Sequence, residues 1–357
     1  MRKGKNPYKT FGEGKAILRK PITVSMLTFI PNFSGYYKDR FKILKLSLGS
    51  LINTTDKEKA DILVFDNGSC KEVTLFLQNL LNEKQINFLI LSTENLGYNA
   101  ALNEIYNFCT GTYLSYSDDD VYYHNGWLEA ALKIHKEYPS IGFVSCSPTK
   151  AVFKDDHFFS SNLAKNFPSL VQEFHDHQLW NSNWDTLFLN SIGSIELLPT
   201  LKDISIPLFK NNNEVLAFPV STHFHYILNR RAIDLLYPYP VGDLMSSNPV
   251  NTDFNMTIQL NKRLEDNNLA RLSTDKMYTE HLGNIWSERA EKLTNNRDNY
   301  LDDNFSLTIS KRKFSLFQKL QFKLMNIPKF GKIPLVLYNW SFNIIGEKTL
   351  YDKQKQK

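Results

Sequence analysis

Two periods of hydrophobic positions alternate along the first 150 residues. Ile22 to Phe29 is a near-continuous apolar run, as in a strand covered on both faces. From Asp39 to Leu51 the apolar positions are Phe41, Leu44, Leu48 and Leu51, close to the spacing of one helix face. The alternation repeats. Asp61 to Phe65 predicts a short strand, closed by the turn-forming Asp66-Asn67-Gly68-Ser69, and Glu72 to Leu81 a helix. Asn87 to Leu91 predicts a third strand, ending at Asn95-Leu96-Gly97, and Asn99 to Phe108 a helix. Thr112 to Tyr116 is a fourth strand, Trp127 to Tyr138 a helix stopped by Pro139, and Ile141 to Cys146 a fifth strand.

This pattern predicts an α/β fold with a mostly parallel sheet flanked by helices. Such sheets bind ligands beyond the carboxyl ends of their strands. The polar clusters fall at those ends: Thr28, Asp66-Asn67, Asn95 and Asp118-Asp119-Asp120. Thr149 to Asn213 is less regular and rich in Asn, Phe and Ser, and it reads as an insertion that shapes an acceptor site. Order returns at Glu214–Phe218, His225–Leu228 and the short helix Arg231–Leu236. Gly242–Val250 reads as a mobile loop and Thr252–Leu264 as a helix.

Composition narrows the classes. The chain has 357 residues, 42% of them hydrophobic, enough for a sizeable core. Its formal charge of +5 is unevenly spread. From Lys311 onward eleven Lys/Arg face two acids, Glu347 and Asp352, so the rest of the chain is net negative. That disfavours a nucleic-acid surface on the main domain. Cys70, Cys109 and Cys146 form no CxxC pair, which fits free thiols in a reducing compartment. The basic stretch 1–20 has no apolar core of a signal peptide, and no run of about 20 apolar residues predicts a spanning helix. The expected location is cytoplasmic. In the tail, Phe317, Leu320, Leu324 and Ile327 follow a helical stripe with Lys319 and Lys323 opposite. This arrangement fits docking on an anionic membrane surface, or an arm packed on the body or on a partner subunit.

The Asp118–Asp120 triplet carries the strongest chemical signal. Three adjacent acids after an apolar strand need a counter-ion, and crowded oxygen donors suit a divalent cation that neutralises nucleotide phosphates. The bland alternative is a solvated acidic turn. With Thr28, Asp66-Asn67-Gly68-Ser69, the segment Asn95 to Asn103 and Gly126-Trp127-Leu128, the triplet makes an ordered set over roughly residues 22 to 285. That set resembles a family 2 glycosyltransferase of the GT-A fold.

The resemblance implies an inverting transferase that uses Mn2+ or Mg2+. It implies a nucleotide-sugar donor, UDP-linked, and a saccharide or lipid-linked saccharide acceptor. It divides the chain into a basic segment 1–20, a GT-A domain 21–300 (nucleotide half 21–148, acceptor half 149–300) and a basic amphipathic tail 306–357. Thr28 and Phe29 would line the nucleotide pocket. Asp66, with Asn67, would accept from the uracil ring; an Asx turn is the alternative, and both can hold at once. Asn95, Gly97 and Asn103 would pack beside the donor, or simply start a helix. Asp118 would face the ribose or the cation's water shell, Asp119 would belong to the same nucleotide-binding set, and Asp120 would ligate the cation. His281 would reach the cation or diphosphate, or be structural. Asp253 would be the base, or cap a helix; Thr252 departs from the acid usual beside it. His175-Asp176-His177 reads as a solvated loop; His223 and His225 either line the acceptor site or, for His225, sit in the core. The implied biology is bacterial surface polysaccharide synthesis, on the inner face of the membrane.

Two rival classes fit less well. A sugar-phosphate nucleotidyltransferase would want a Gly-rich basic loop where Phe29-Ile30-Pro31-Asn32-Phe33-Ser34 stands. A non-catalytic carbohydrate-binding protein would not need Asp118, Asp120 and Asp253 intact.

Overall fold

Every residue of β1 (Ile22–Thr28) and β2 (Ala60–Asp66) is buried, as their unbroken apolar runs require. A computed structural model of the chain describes residues 19–152, 159–174, 179–238 and 262–294, all within one compact unit spanning Arg19–Asn304. β1 and β2 pair in parallel with Thr28 opposite Asp66, and β3 (Phe88–Leu91) and β4 (Tyr113–Asp118) extend the parallel sheet on either side. The helices α1 (Arg40–Thr54), α2 (Lys71–Asn82) and α3 (Tyr98–Phe108) fall in the connections. α2 buries Val73, Phe76, Leu77 and Leu80, an i, i+3, i+4, i+7 stripe. Each such side chain contributes about 1.5–3 kcal/mol relative to exposure.

The second half departs from the expectation. After β5 (Val121–Tyr123) and α4 (Trp127–Glu137) comes β6 (Ile141–Ser145). The stretch read as irregular contains β7 (Val171–Phe174), α5 (Ser182–Ser191) and β8 (Leu208–Asn211). Then follow β9 (Leu216–Phe218), β10 (His225–Asn229), α6 (Arg230–Leu236), β11 (Ala270–Thr274), β12 (Thr279–His281) and α7 (Glu288–Thr294). The ten-stranded sheet runs β3-β2-β1-β4-β10-β6-β11-β9-β8-β7. β11 continues the parallel set beside β6, β10 lies antiparallel between β4 and β6, and β9, β8 and β7 form an antiparallel edge. β7 escaped the pattern because only Val171 is buried. α5 escaped because its buried Trp184, Phe188 and Leu189 stand among Asn and Ser.

The short ribbon β5–β12 matters most for the site. β5 leans on α1 through two serines. Ser47 Oγ donates to Val121 O (2.7 Å) and accepts from Val121 N (3.2 Å), while Ser50 Oγ accepts from Tyr123 N (3.0 Å). Buried backbone groups need such partners, so these serines hold the chain immediately after the acid triplet. Of the helix expected over Thr252–Leu264, residues 262–264 are helical. Asp253, Gly242–Val250, His175-Asp176-His177, residues 1–18 and the tail lie outside the described residues.

Candidate active site

The carboxyl ends of β1, β2 and β4 come together as the register dictates, with Thr28 opposite Asp66 and Leu27 opposite Asp118. On the β2 side the polar groups satisfy one another. Asp66 is 1% exposed; it accepts from Ser69 N (2.9 Å) through Oδ1 and from Thr74 Oγ1 (2.8 Å) through Oδ2. Asp66 therefore closes the turn into α2 with its own side chain, one residue further on than an Asx turn would. Asn67 donates to Asn95 Oδ1 (2.9 Å) and accepts from Leu96 N (2.9 Å), tying the loops after β2 and β3. Asn95 Oδ1 also accepts from Gly97 N (2.8 Å). Gly97 has φ +79°, a conformation that favours glycine, and it sets the start of α3. Asn103 is half-buried on α3, and Phe29 packs edge-on against Tyr37 at 5.9 Å.

The acid triplet is different. Asp119 and Asp120 are buried, at 3% and 6% exposure. Asp119 accepts from Thr28 Oγ1 (2.5 Å) and from the Arg40 guanidinium, which also donates to Asp120 Oδ2 (2.6 Å). Burial opposes the charge on Arg40, but Asp119 and Asp120 raise its pKa further above the usual arginine range. Asp118 is half-buried and accepts from Tyr116 Oη (2.6 Å). Burial first, and then the charges on Asp120 and Asp119, push the Asp118 carboxyl well above its usual range. Among the described residues, Asp120 Oδ1 is buried with no hydrogen-bond partner.

His281 enters from β12, opposite Val121, and Leu282 N donates to Asp120 O (2.7 Å). Its Nε2 lies 3.5 Å from Asp120 Oδ2, and its Nδ1 lies 2.8 Å from Ser191 Oγ at the end of α5. Next to it, Glu280 binds His124 (2.6 Å) and Arg289 on α7 (2.8 Å). Burial acts upward on Glu280, yet these hydrogen bonds bring it down to about 2. His225 is fully buried against Tyr123 and Trp127, and burial holds it near 3, so it is a core residue. His223 is exposed in the loop before β10.

The segment that carries the triplet also matches a known family. Residues 36–184 match the family described as Glycosyl transferase family 2. The match covers less than half of the chain, so it is a likeness of that segment to the family. Two solved structures are similar to parts of this chain at low identity. A mannosyltransferase from Pyrobaculum calidifontis, PcManGT, in complex with GDP-Man and Mn2+, is 15% identical with a TM-score of 0.36, over 63% of this chain and 48% of that one. S. aureus TarS 1–349 in complex with UDP-GlcNAc is 17% identical with a TM-score of 0.29, over 35% and 33%. The chain thus spans less than half the length of these structures. No curated protein matches.

The family 2 match takes in Arg40, Asp66, Asn95 and the triplet, but neither Thr28 nor His281. The structure nonetheless brings Thr28, Asp119, Asp120 and His281 into one cluster. Among the described residues no group of three or more His, Cys, Asp or Glu is arranged to hold a metal by itself. The donor set instead fits a cation shared with a nucleotide diphosphate, which needs only one or two protein carboxylates. Sequence reasoning missed Arg40 and Ser191. Arg40 had a signal, since three crowded acids demand a cation and Arg40 opens the next helix after β1. Ser191 had none, because α5 itself was not legible. Among the described residues no helix is long and apolar enough to cross a membrane.

Proposed function

We propose that this protein transfers a sugar from a nucleotide-sugar donor, UDP-linked, to a hydroxyl of a saccharide or lipid-linked saccharide, with inversion. The reading rests on one observation: a buried carboxylate oxygen of Asp120 without a partner, beside His281, at the strand ends of a segment similar to family 2. Mn2+ or Mg2+, held by Asp120 and His281 together with the donor diphosphate, would offset charge on the leaving group. Asp118, at the end of β4, binds a ribose hydroxyl or the cation's water shell. Asp119 stays with Thr28 and Arg40 and keeps the loop in shape. Asp66, already fixed by its turn, offers its remaining lone pairs to an imide N–H of the base. Asp253 removes the acceptor proton as attack proceeds. The basic tail rests on an anionic membrane surface, and the product belongs to a bacterial surface polysaccharide.

Donor hydrolysis by the full chain, measured across UDP- and GDP-linked sugars with Mn2+ or with chelator, tests this reading. Turnover should need the cation and fall at least about 100-fold in Asp120→Ala and Asp253→Asn. Chelator-insensitive turnover, or an unaffected Asp120→Ala, would refute it.

A further inference from the structure

We infer that Ser191 is a positioning residue that fixes the tautomer of His281, so that Nε2 presents a lone pair to the crevice beside Asp120. The binding half of this inference rests on the cation reading above; the tautomer half does not.

The Ser191 hydroxyl has one proton to give. Ser191 Oγ lies 2.6 Å from Phe188 O, one turn back on α5, and a carbonyl only accepts, so the single hydroxyl proton is committed there. Ser191 Oγ also lies 2.8 Å from His281 Nδ1. With its proton used, the hydroxyl must accept at that contact, and Nδ1 must carry the imidazole proton. In the neutral ring Nε2 is then bare.

Bare Nε2 faces Asp120 Oδ2 at 3.5 Å. That is too long for an N–H donating to a carboxylate, which closes to about 2.7–2.9 Å. It suits two electron-pair donors beside a shared cation, since metal–ligand bonds near 2.1 Å at usual angles separate their donors by roughly 3.0–3.4 Å; Oδ2 also accepts from Arg40 (2.6 Å), so the oxygen of Asp120 left for a cation is Oδ1. Asp120 Oδ1 is buried and without a hydrogen-bond partner, on the side chain that Nε2 faces.

The contact is built rather than incidental. Gly283 has φ +73°, and a Cβ there would meet Ser191 O at 2.2 Å, so α5 and the turn after β12 approach closely only because this residue is glycine. Phe188 and Phe224 flank the imidazole at 6.1 and 5.0 Å, which limits rotation of the ring. A histidine held through its far nitrogen by a hydrogen-bond acceptor is the usual arrangement of an imidazole metal ligand.

The test uses the full chain and three forms: wild type, Ser191→Ala and Ser191→Thr. Nitrogen-15 NMR of the His281 ring without metal should report protonated Nδ1 and bare Nε2 in wild type and Ser191→Thr, and a mixture in Ser191→Ala. Mn2+ titration with UDP, followed by the EPR signal of free Mn2+, should show about 10–100-fold weaker uptake in Ser191→Ala and near-normal uptake in Ser191→Thr. A protonated Nε2 in wild type overturns the assignment. So does a Ser191→Ala variant with unchanged tautomer and unchanged uptake. Absence of Mn2+ uptake by wild type with Nδ1 protonated would overturn the cation reading and leave the tautomer assignment standing.

Discussion

The two sides of the crevice handle polar groups in opposite ways. On the β2 and β3 side, Asp66, Asn67 and Asn95 use their side chains to tie one loop to the next. On the β4 and β12 side, two of three adjacent acids share one guanidinium, one carboxylate oxygen has no partner, and one carboxyl is held well above its usual pKa. Buried polar groups are normally satisfied. The first side follows that rule and reads as a fixed cradle. The second breaks it, and such breaches, with perturbed carboxyls, gather where chemistry is done. Contact between the sides runs through Thr28, whose strand neighbour is Asp66 and whose hydroxyl binds Asp119.

The comparison can be broken most forcefully at Arg40. Arg40→Met leaves Asp119 and Asp120 buried without their cation, and should cost about 3–5 kcal/mol by urea unfolding. Mn2+ should recover more stability in this variant than in wild type. A loss below about 1 kcal/mol would mean that Arg40 does not neutralise the triplet. Asp66→Ala, on the satisfied side, removes two hydrogen bonds and should cost about 1–3 kcal/mol. Mn2+ affinity without nucleotide should not change, because the cradle and the acid cluster do separate work.

Glu280→Gln should cost about 2 kcal/mol above pH 5. The native pKa is about 2, below the ordinary value near 4.3. The charge therefore stabilises the fold above pH 4.3 and loses that effect as pH falls toward 2, so the two proteins should converge in acid. Asp118 has the opposite sign. Its native pKa is raised, to about 8, so the fold holds a proton that the unfolded chain has released. Stability from this group is full below pH 4 and declines up to pH 8. Asp118→Asn should match wild type near pH 4 and exceed it near pH 8, by a few degrees in melting temperature. Equal pH profiles would show that Asp118 is an ordinary solvated acid.

The parallel half of the fold was legible because β1, β2 and α2 announce themselves through apolar runs and a helical stripe. The positions of Asp66 and Asp118 at strand ends were legible because each closes an apolar run. β5 and β12 are three residues each, too short to show a period, yet they place His281 on Asp120. Ser191 acts across 90 residues of sequence, and its contact depends on the close approach at Gly283. Neither feature has a local signature.

Asp120 should gather a cation and a nucleotide at the strand ends. Calorimetry of UDP binding to the metal-free chain, with and without Mn2+, tests it most directly. Binding should strengthen at least about tenfold with Mn2+, and Asp120→Ala should erase that gain while keeping the weak metal-free binding. Equal affinity with and without the cation, or a full Mn2+ effect in Asp120→Ala, would contradict it.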